Sequence, residues 1–131
     1  MAEAQFLKTT TILPVNDIDD ALAWYHRVLG FQTVYVHGKG RRGEAEEFAN
    51  YAIMACDGVE VHLILDEGGP VWTRAGTGHL GLTVRDIEAL HSQVKARQVP
   101  ISRALQNENW PARGFNLTDP SGNDVHLEQT L

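Results

Sequence analysis

At 131 residues, 43% apolar and 21% charged, the chain is the size of one globular domain that buries roughly two-thirds of its unfolded surface. A formal net charge of −6 argues against a general nucleic-acid binder, and the one basic cluster, Gly38–Gly43, runs straight into Glu44, Glu46 and Glu47. No run approaches the ~18 apolar residues of a membrane span, the first residues lack the apolar core of a signal peptide, and the lone Cys56 excludes an internal disulfide, so a cytoplasmic protein without membrane contacts is expected.

The first element reads as a strand over Leu7–Val15, rich in Thr, Ile and Val. Asn16 or Asp17 can cap the helix that follows, on which Ile18, Leu22, Tyr25 and Leu29 recur at helical spacing until Gly30 stops it. Three strands come next, Phe31–His37, Phe48–Cys56 and Val59–Leu65, with the loop Gly38–Glu47 between the first two. Residues 66–77 form a linker, rich in glycine and carrying Pro70. The pattern then starts again. Gly78–Val84 is a strand, and Ile87, Leu90 and Val94 mark a helix behind Asp86. Pro100–Leu105, Arg113–Thr118 and Asp124–Glu128 are strands, the last two joined by the turn Asp119–Asn123.

Two motifs recur. Leu-x-Val-x-Asp-Ile stands at Leu13–Ile18 and again at Leu82–Ile87, and Gly, one residue, an acid, then Val-His-Leu ends each half, at Leu63 and at Leu127. Matching order and nearly equal spacing point to a duplicated module. The expected fold is α+β: one domain over residues 1–131, with module 1 at about 1–65, the linker at 66–77 and module 2 at about 78–131, each a βαβββ unit.

Strand residues alternate between faces. Val59, Val61, Leu63 and Leu65 should face the helices, leaving Glu60, His62 and Ile64 on the other side; Val125 and Leu127 likewise leave Asp124, His126 and Glu128. Leu80, Leu82 and Val84 leave His79, Gly81 and Thr83, and in the first strand Leu13 and Val15 leave Thr10, Ile12 and Pro14. The repeat matches His62 with His126 and Thr10 with His79. If the modules curl around one cavity, these four side chains converge there.

The segments Ile12–Phe31, Gly78–Leu90 and Gly114–Gln129 resemble the vicinal oxygen chelate superfamily, which includes glyoxalase I, extradiol dioxygenases and bleomycin resistance proteins. The resemblance implies an eight-stranded, cup-shaped mixed sheet with helices on its outer face, completed within a homodimer. It also implies metal-ligand positions at Thr10, His62, His79 and His126. Thr10 departs from the usual His or Gln, and both last-strand positions are His where glyoxalase-like members often carry Glu. The last-strand sequence "DPSGNDVH", with Trp110 and Pro111 upstream, looks more like bleomycin resistance proteins, which hold a large basic glycopeptide without a metal of their own.

Two functions stay open. The first is a non-catalytic binder of an aromatic, cationic small molecule at a dimer-interface groove. Trp110, Phe48, Tyr51 and Trp72 would supply stacking surface, and Glu46, Glu47 or Glu108 would pair with a cationic tail. The second is a metal-dependent enzyme of the glyoxalase or dioxygenase kind. It would use His62, His79 and His126 on a divalent Zn, Ni or Fe ion, with Thr10 at the fourth position and Glu60 or Glu128 orienting a histidine. Arg113 and Glu60 complete the candidate ligand-binding set. Trp24 and Tyr25 read as core, Cys56 as buried, and His26, His37 and His91 as exposed.

Overall fold

The computed structural model describes residues 3–38 and 49–131. Its elements are β1 (Thr11–Val15), α1 (Ile18–Leu29), β2 (Gln32–His37), β3 (Tyr51–Cys56), β4 (Val59–Leu65), β5 (His79–Thr83), α2 (Ile87–Ala96), β6 (Arg103–Asn107), β7 (Ala112–Thr118) and β8 (Asp124–Thr130). This is the expected pair of βαβββ modules in an α+β fold. The eight strands form two four-stranded mixed sheets, ordered β1-β4-β3-β2 and β5-β8-β7-β6. In each, the first strand runs parallel to the last and the other pairs are antiparallel. Among the described residues no helix is long and apolar enough to cross a membrane.

Local chemistry sets the element ends. Asp17 caps α1, its carboxylate accepting from Asp20 N at 2.9 Å, and Gly30 closes it at φ 82° with its N–H donating to the His26 carbonyl. Asp86 caps α2 through Ala89 N at 3.1 Å. The β3–β4 turn is the dipeptide Asp57-Gly58, both at positive φ (51° and 79°), which matches the twist of a tight hairpin. β1 starts at Thr11, later than the expected Leu7, because its pairing with β4 begins at Thr11↔Val61. Thr10 precedes it, and Leu7 is 87% exposed. β6 begins at Arg103 rather than at Pro100, which has no N–H to give a ladder.

The buried apolar residues of both modules form one core, from Leu13, Tyr25 and Val28 to Val94, Phe115 and Leu127. Trp24 and Tyr25 lie in it as expected. The sheets meet where β1 adjoins β5, and they stay separate ladders. Pro14 has no N–H, and its carbonyl accepts from Asn123 Nδ2 at 2.7 Å. The same contact buries Pro14, which alternation alone had placed on the open face. Val59 departs the other way: it sits beside the β3–β4 turn and is 44% exposed.

Candidate functional site

Each sheet turns one face to the core and leaves the other open. On the first module's open face, register places His62 beside Ile12 of β1 and Ile53 of β3, and Tyr35 of β2 beside Ile53. Ile12 and Tyr35 are each 49% exposed, so this face is largely apolar and aromatic. Its polar line runs across the sheet. Lys8 Nζ donates to Glu60 Oε1 at 3.2 Å, His62 Nε2 to the same oxygen at 2.7 Å, and Tyr51 OH and His62 Nδ1 bond at 2.5 Å. The His62 and Lys8 bonds hold the Glu60 carboxyl below its usual range. Burial, then the Glu60 charge, pushes the Tyr51 phenol up. His62 thus has both ring nitrogens hydrogen-bonded, one to a carboxylate and one to a phenol.

The second module's open face is polar. His126 lies beside Gly81 and Asn116 in the register. Its Nδ1 meets Asn116 Oδ1 at 2.8 Å and its Nε2 meets Glu128 Oε1 at 2.8 Å. Asn116 Nδ2 donates to both Asp124 oxygens, at 2.9 and 3.1 Å, which fixes the amide's orientation. His79 Nδ1 reaches Asp124 at 3.3 Å. Trp110, 50% exposed, donates its indole N–H to Glu128 Oε1 at 3.1 Å, with its ring centroid 6.2 Å from that of His126. Behind them Glu108 is clamped by both terminal nitrogens of Arg103. That bond holds the Glu108 carboxyl below its usual range and raises the Arg103 guanidinium. Two glycines make room. A Cβ on Gly114 would stand 2.5 Å from the Leu127 carbonyl and 3.2 Å from the His126 ring, while one on Gly81 would meet nothing within 4 Å. His126 therefore lies close on β7, beside a bare patch of sheet.

Residues 7–127 match the sequence model of the Glyoxalase/Bleomycin resistance protein/Dioxygenase superfamily. The chain belongs to this superfamily. Among solved structures it is similar to TnmS3, an antibiotic binding protein from Streptomyces sp. CB03234, with 21% identity, TM-score 0.73, and 98% of this chain and 100% of that one covered. It is also similar to a bleomycin-binding protein complexed with bleomycin, with 21% identity, TM-score 0.72, and 96% and 100% covered. A glyoxalase-related enzyme from Clostridium phytofermentans is as close in fold, with 19% identity, TM-score 0.73, and 98% of both chains covered. At these identities the likeness is one of fold. No curated protein sequence matches the chain significantly.

Superfamily metal sites need lone pairs that converge. Here His62 stands on one sheet and His79 and His126 on the other, and Thr10 is exposed ahead of β1. Both ring nitrogens of His62 and of His126 are already hydrogen-bonded within the chain. Among the described residues no group of three or more His, Cys, Asp or Glu side chains is placed to hold a metal ion. The four positions do not fit a metal within one chain.

The other candidates separate as follows. Tyr51 and Glu60 share the His62 line, and Trp110 shares the His126 line. Trp72 lies in the linker's short 3₁₀ turn, Val71–Thr73, and is 74% exposed. Arg113 points to the helix side of β7, one residue out of phase with Gly114, and its Nε donates to Glu88 of α2 at 2.6 Å. Phe48, Glu46 and Glu47 lie outside the described residues. Glu108, expected to meet a cationic tail, is spent on Arg103 with its side chain fully buried. Cys56 is half-buried, and His91 packs edge-on against Phe115, with ring centroids 5.1 Å apart, instead of standing free.

Broken symmetry between the modules leaves a second feature. The turn Asp119–Asn123 fills the corner between β1 and α1, where Ser121 Oγ accepts from Asn16 N at 2.8 Å. The matching turn, Asp57-Gly58, is too short to fill the corner between β5 and α2. A cavity of about 600 Å³ results, with Leu29, Phe31, Leu82 and Leu127 in its wall and Asp57 and Arg85 at its rim. It holds none of the expected site residues. Asn116, Arg103 and Gly114 also escaped sequence reasoning; Asn116 could have been found by aligning β7 on the His126 register.

Proposed function

We propose that this protein binds and sequesters an aromatic, cationic small molecule on its open sheet faces, in a groove that a second copy of the chain completes. One observation carries the reading. Trp110 presents a half-exposed indole, held by Glu128 and set beside the His126 ring, which is the geometry of a stacking platform rather than of a core residue. Three carboxylates on this face, Glu108, Glu128 and Asp124, stand against the single guanidinium of Arg103. The carboxylates outnumber the guanidinium, which favours a cation. The apolar face with Ile12 and Tyr35 supplies the complementary wall. The antibiotic- and bleomycin-binding neighbours support the same reading by fold.

Stacking and charge pairing suffice for this function, with no bond made or broken. Titration calorimetry against a panel of basic glycopeptides tests it, alongside sedimentation to establish the dimer. At least one panel member should bind at micromolar affinity or better, and Trp110→Ala should weaken it about tenfold or more. Absence of binding by every member would overturn the reading. So would a stoichiometric transition metal in protein purified without a histidine tag and lost on His79→Ala.

A further inference from the structure

The carboxylate that bonds Nε2 of the repeated histidine comes from a different position in each module: Glu60, which the repeat matches with Asp124, precedes His62, whereas Glu128 follows His126. In the first module the carboxylate beside the repeated histidine is Glu60, and its charge is met by Lys8 as well as His62. In the second module Glu128 takes both its bonds on one oxygen: Oε1 accepts from Trp110 Nε1 and from His126 Nε2. Among the described residues Oε2 has no partner, and no lysine or arginine pairs with Glu128. Arg103 is engaged by Glu108 and Arg113 by Glu88. The side chain keeps 21% of its surface exposed, at the edge of the Trp110 ring. A carboxylate fixed by two donors on one oxygen, with the other oxygen unpartnered among the described residues and the side chain part-exposed beside Trp110, is prepared to accept from a third donor.

We propose that Glu128 is the cation anchor and specificity determinant of the binding face: its Oε2 accepts from an amidinium, guanidinium or ammonium of the ligand, while the ligand's ring lies on Trp110. The inference rests on the binding function proposed above. It narrows the ligand class to molecules whose cationic nitrogen lies next to a ring, because Trp110 Nε1 and the anchor share one carboxylate. His126 and Trp110 act as positioning residues for that carboxylate.

The test uses three probes of one size and shape: benzamidine, neutral benzamide and anionic benzoate. Binding is followed on the full-length protein by the indole N–H resonance of Trp110, assigned by its loss in Trp110→Phe. In the unmodified protein benzamidine should bind about tenfold tighter than benzamide, and benzoate weaker still. Glu128→Gln, which keeps an acceptor for Trp110, should bring benzamidine and benzamide to within about twofold of each other. Glu128→Asp, which keeps the charge but draws it back, should give an intermediate ratio, and it serves if the glutamine variant folds poorly. A preference for benzamidine that is absent at the outset, or that survives in Glu128→Gln, overturns the anchor and leaves the stacking site standing. No shift of the Trp110 resonance with any probe overturns both the anchor and the binding reading.

Discussion

The Tyr25 phenol donates to Asp119 Oδ2 at 2.8 Å across 94 residues of sequence, joining the first module's helix to the second module's last turn inside the core. Tyr25 is completely buried and Asp119 is 4% exposed. Burial, reinforced by the Asp119 charge, pushes the phenol far above its ordinary range, so it stays a donor. Beside it Asn123, with no exposed surface, donates to Pro14 O and Asp119 Oδ2 and accepts from Gly76 N and Gly78 N. Asn123 is therefore the fully satisfied polar pin between modules. Among the described residues no buried side-chain N or O lacks a partner.

Removing either group should open this joint. Tyr25→Phe leaves Asp119 one donor short in a buried site and should cost about 1–3 kcal/mol. Asn123→Ala also orphans Pro14 O and two backbone N–H groups and should cost more, about 3–4 kcal/mol. Urea denaturation checks both. A loss below about 0.5 kcal/mol for Asn123→Ala would mean that the joint contributes little to holding the modules together.

Gly114 gives a sharper test of the open face. An added methyl would meet the Leu127 carbonyl at 2.5 Å and Glu128 Cβ at 3.0 Å. Backbone of a central strand cannot step aside, so Gly114→Ala should cost about 1–3 kcal/mol. It should also displace His126 and Glu128, changing the Trp110 emission. Gly81→Ala, with open space above it, should leave stability nearly unchanged. Equal effects of the two substitutions would contradict the packing of His126 on β7.

How far the site was legible in the sequence follows from period and contact. Alternation in β4 and β8 placed Val61, Leu63, Val125 and Leu127 inward and both repeated histidines outward, because a strand's two-residue period is written in its residues. The duplication supplied the module order and placed Asp86 before the second helix; for the first helix it left Asn16 and Asp17 as candidates, and Asp17 is the cap. Contacts between sheets are written nowhere locally. Pro14 was buried by a neighbouring module, and Arg113 was turned to α2 by a register that only the β7–β8 pairing fixes. Of the partners of His126, Glu128 lies two residues along the same strand and was legible from alternation, whereas Asn116 comes from β7 and depends on tertiary pairing. The same two histidines meet opposite environments: a tyrosine hydroxyl at His62 and an amide oxygen at His126.

At the linker Asp66 forms a hook that acid opens only at low pH. Its carboxylate accepts from Gly68 N and Ala75 N, each at 2.9 Å, and pairs with Arg74 Nε at 3.0 Å. The Ala75 bond lowers its pKa most, then those of Gly68 and Arg74, bringing it from the ordinary 3.8 to about 2. A carboxyl with a depressed folded pKa stabilises the fold fully above its unfolded pKa, and that share is lost as pH falls through the folded value. Asp66→Asn should therefore melt at a lower temperature than the unmodified protein at neutral pH. The gap should begin to close as pH drops below about 4 and be gone near pH 2. Thermal unfolding followed by circular dichroism across that range checks the sign. A gap that is constant down to pH 2 would show that the hook's ionisation is not linked to folding.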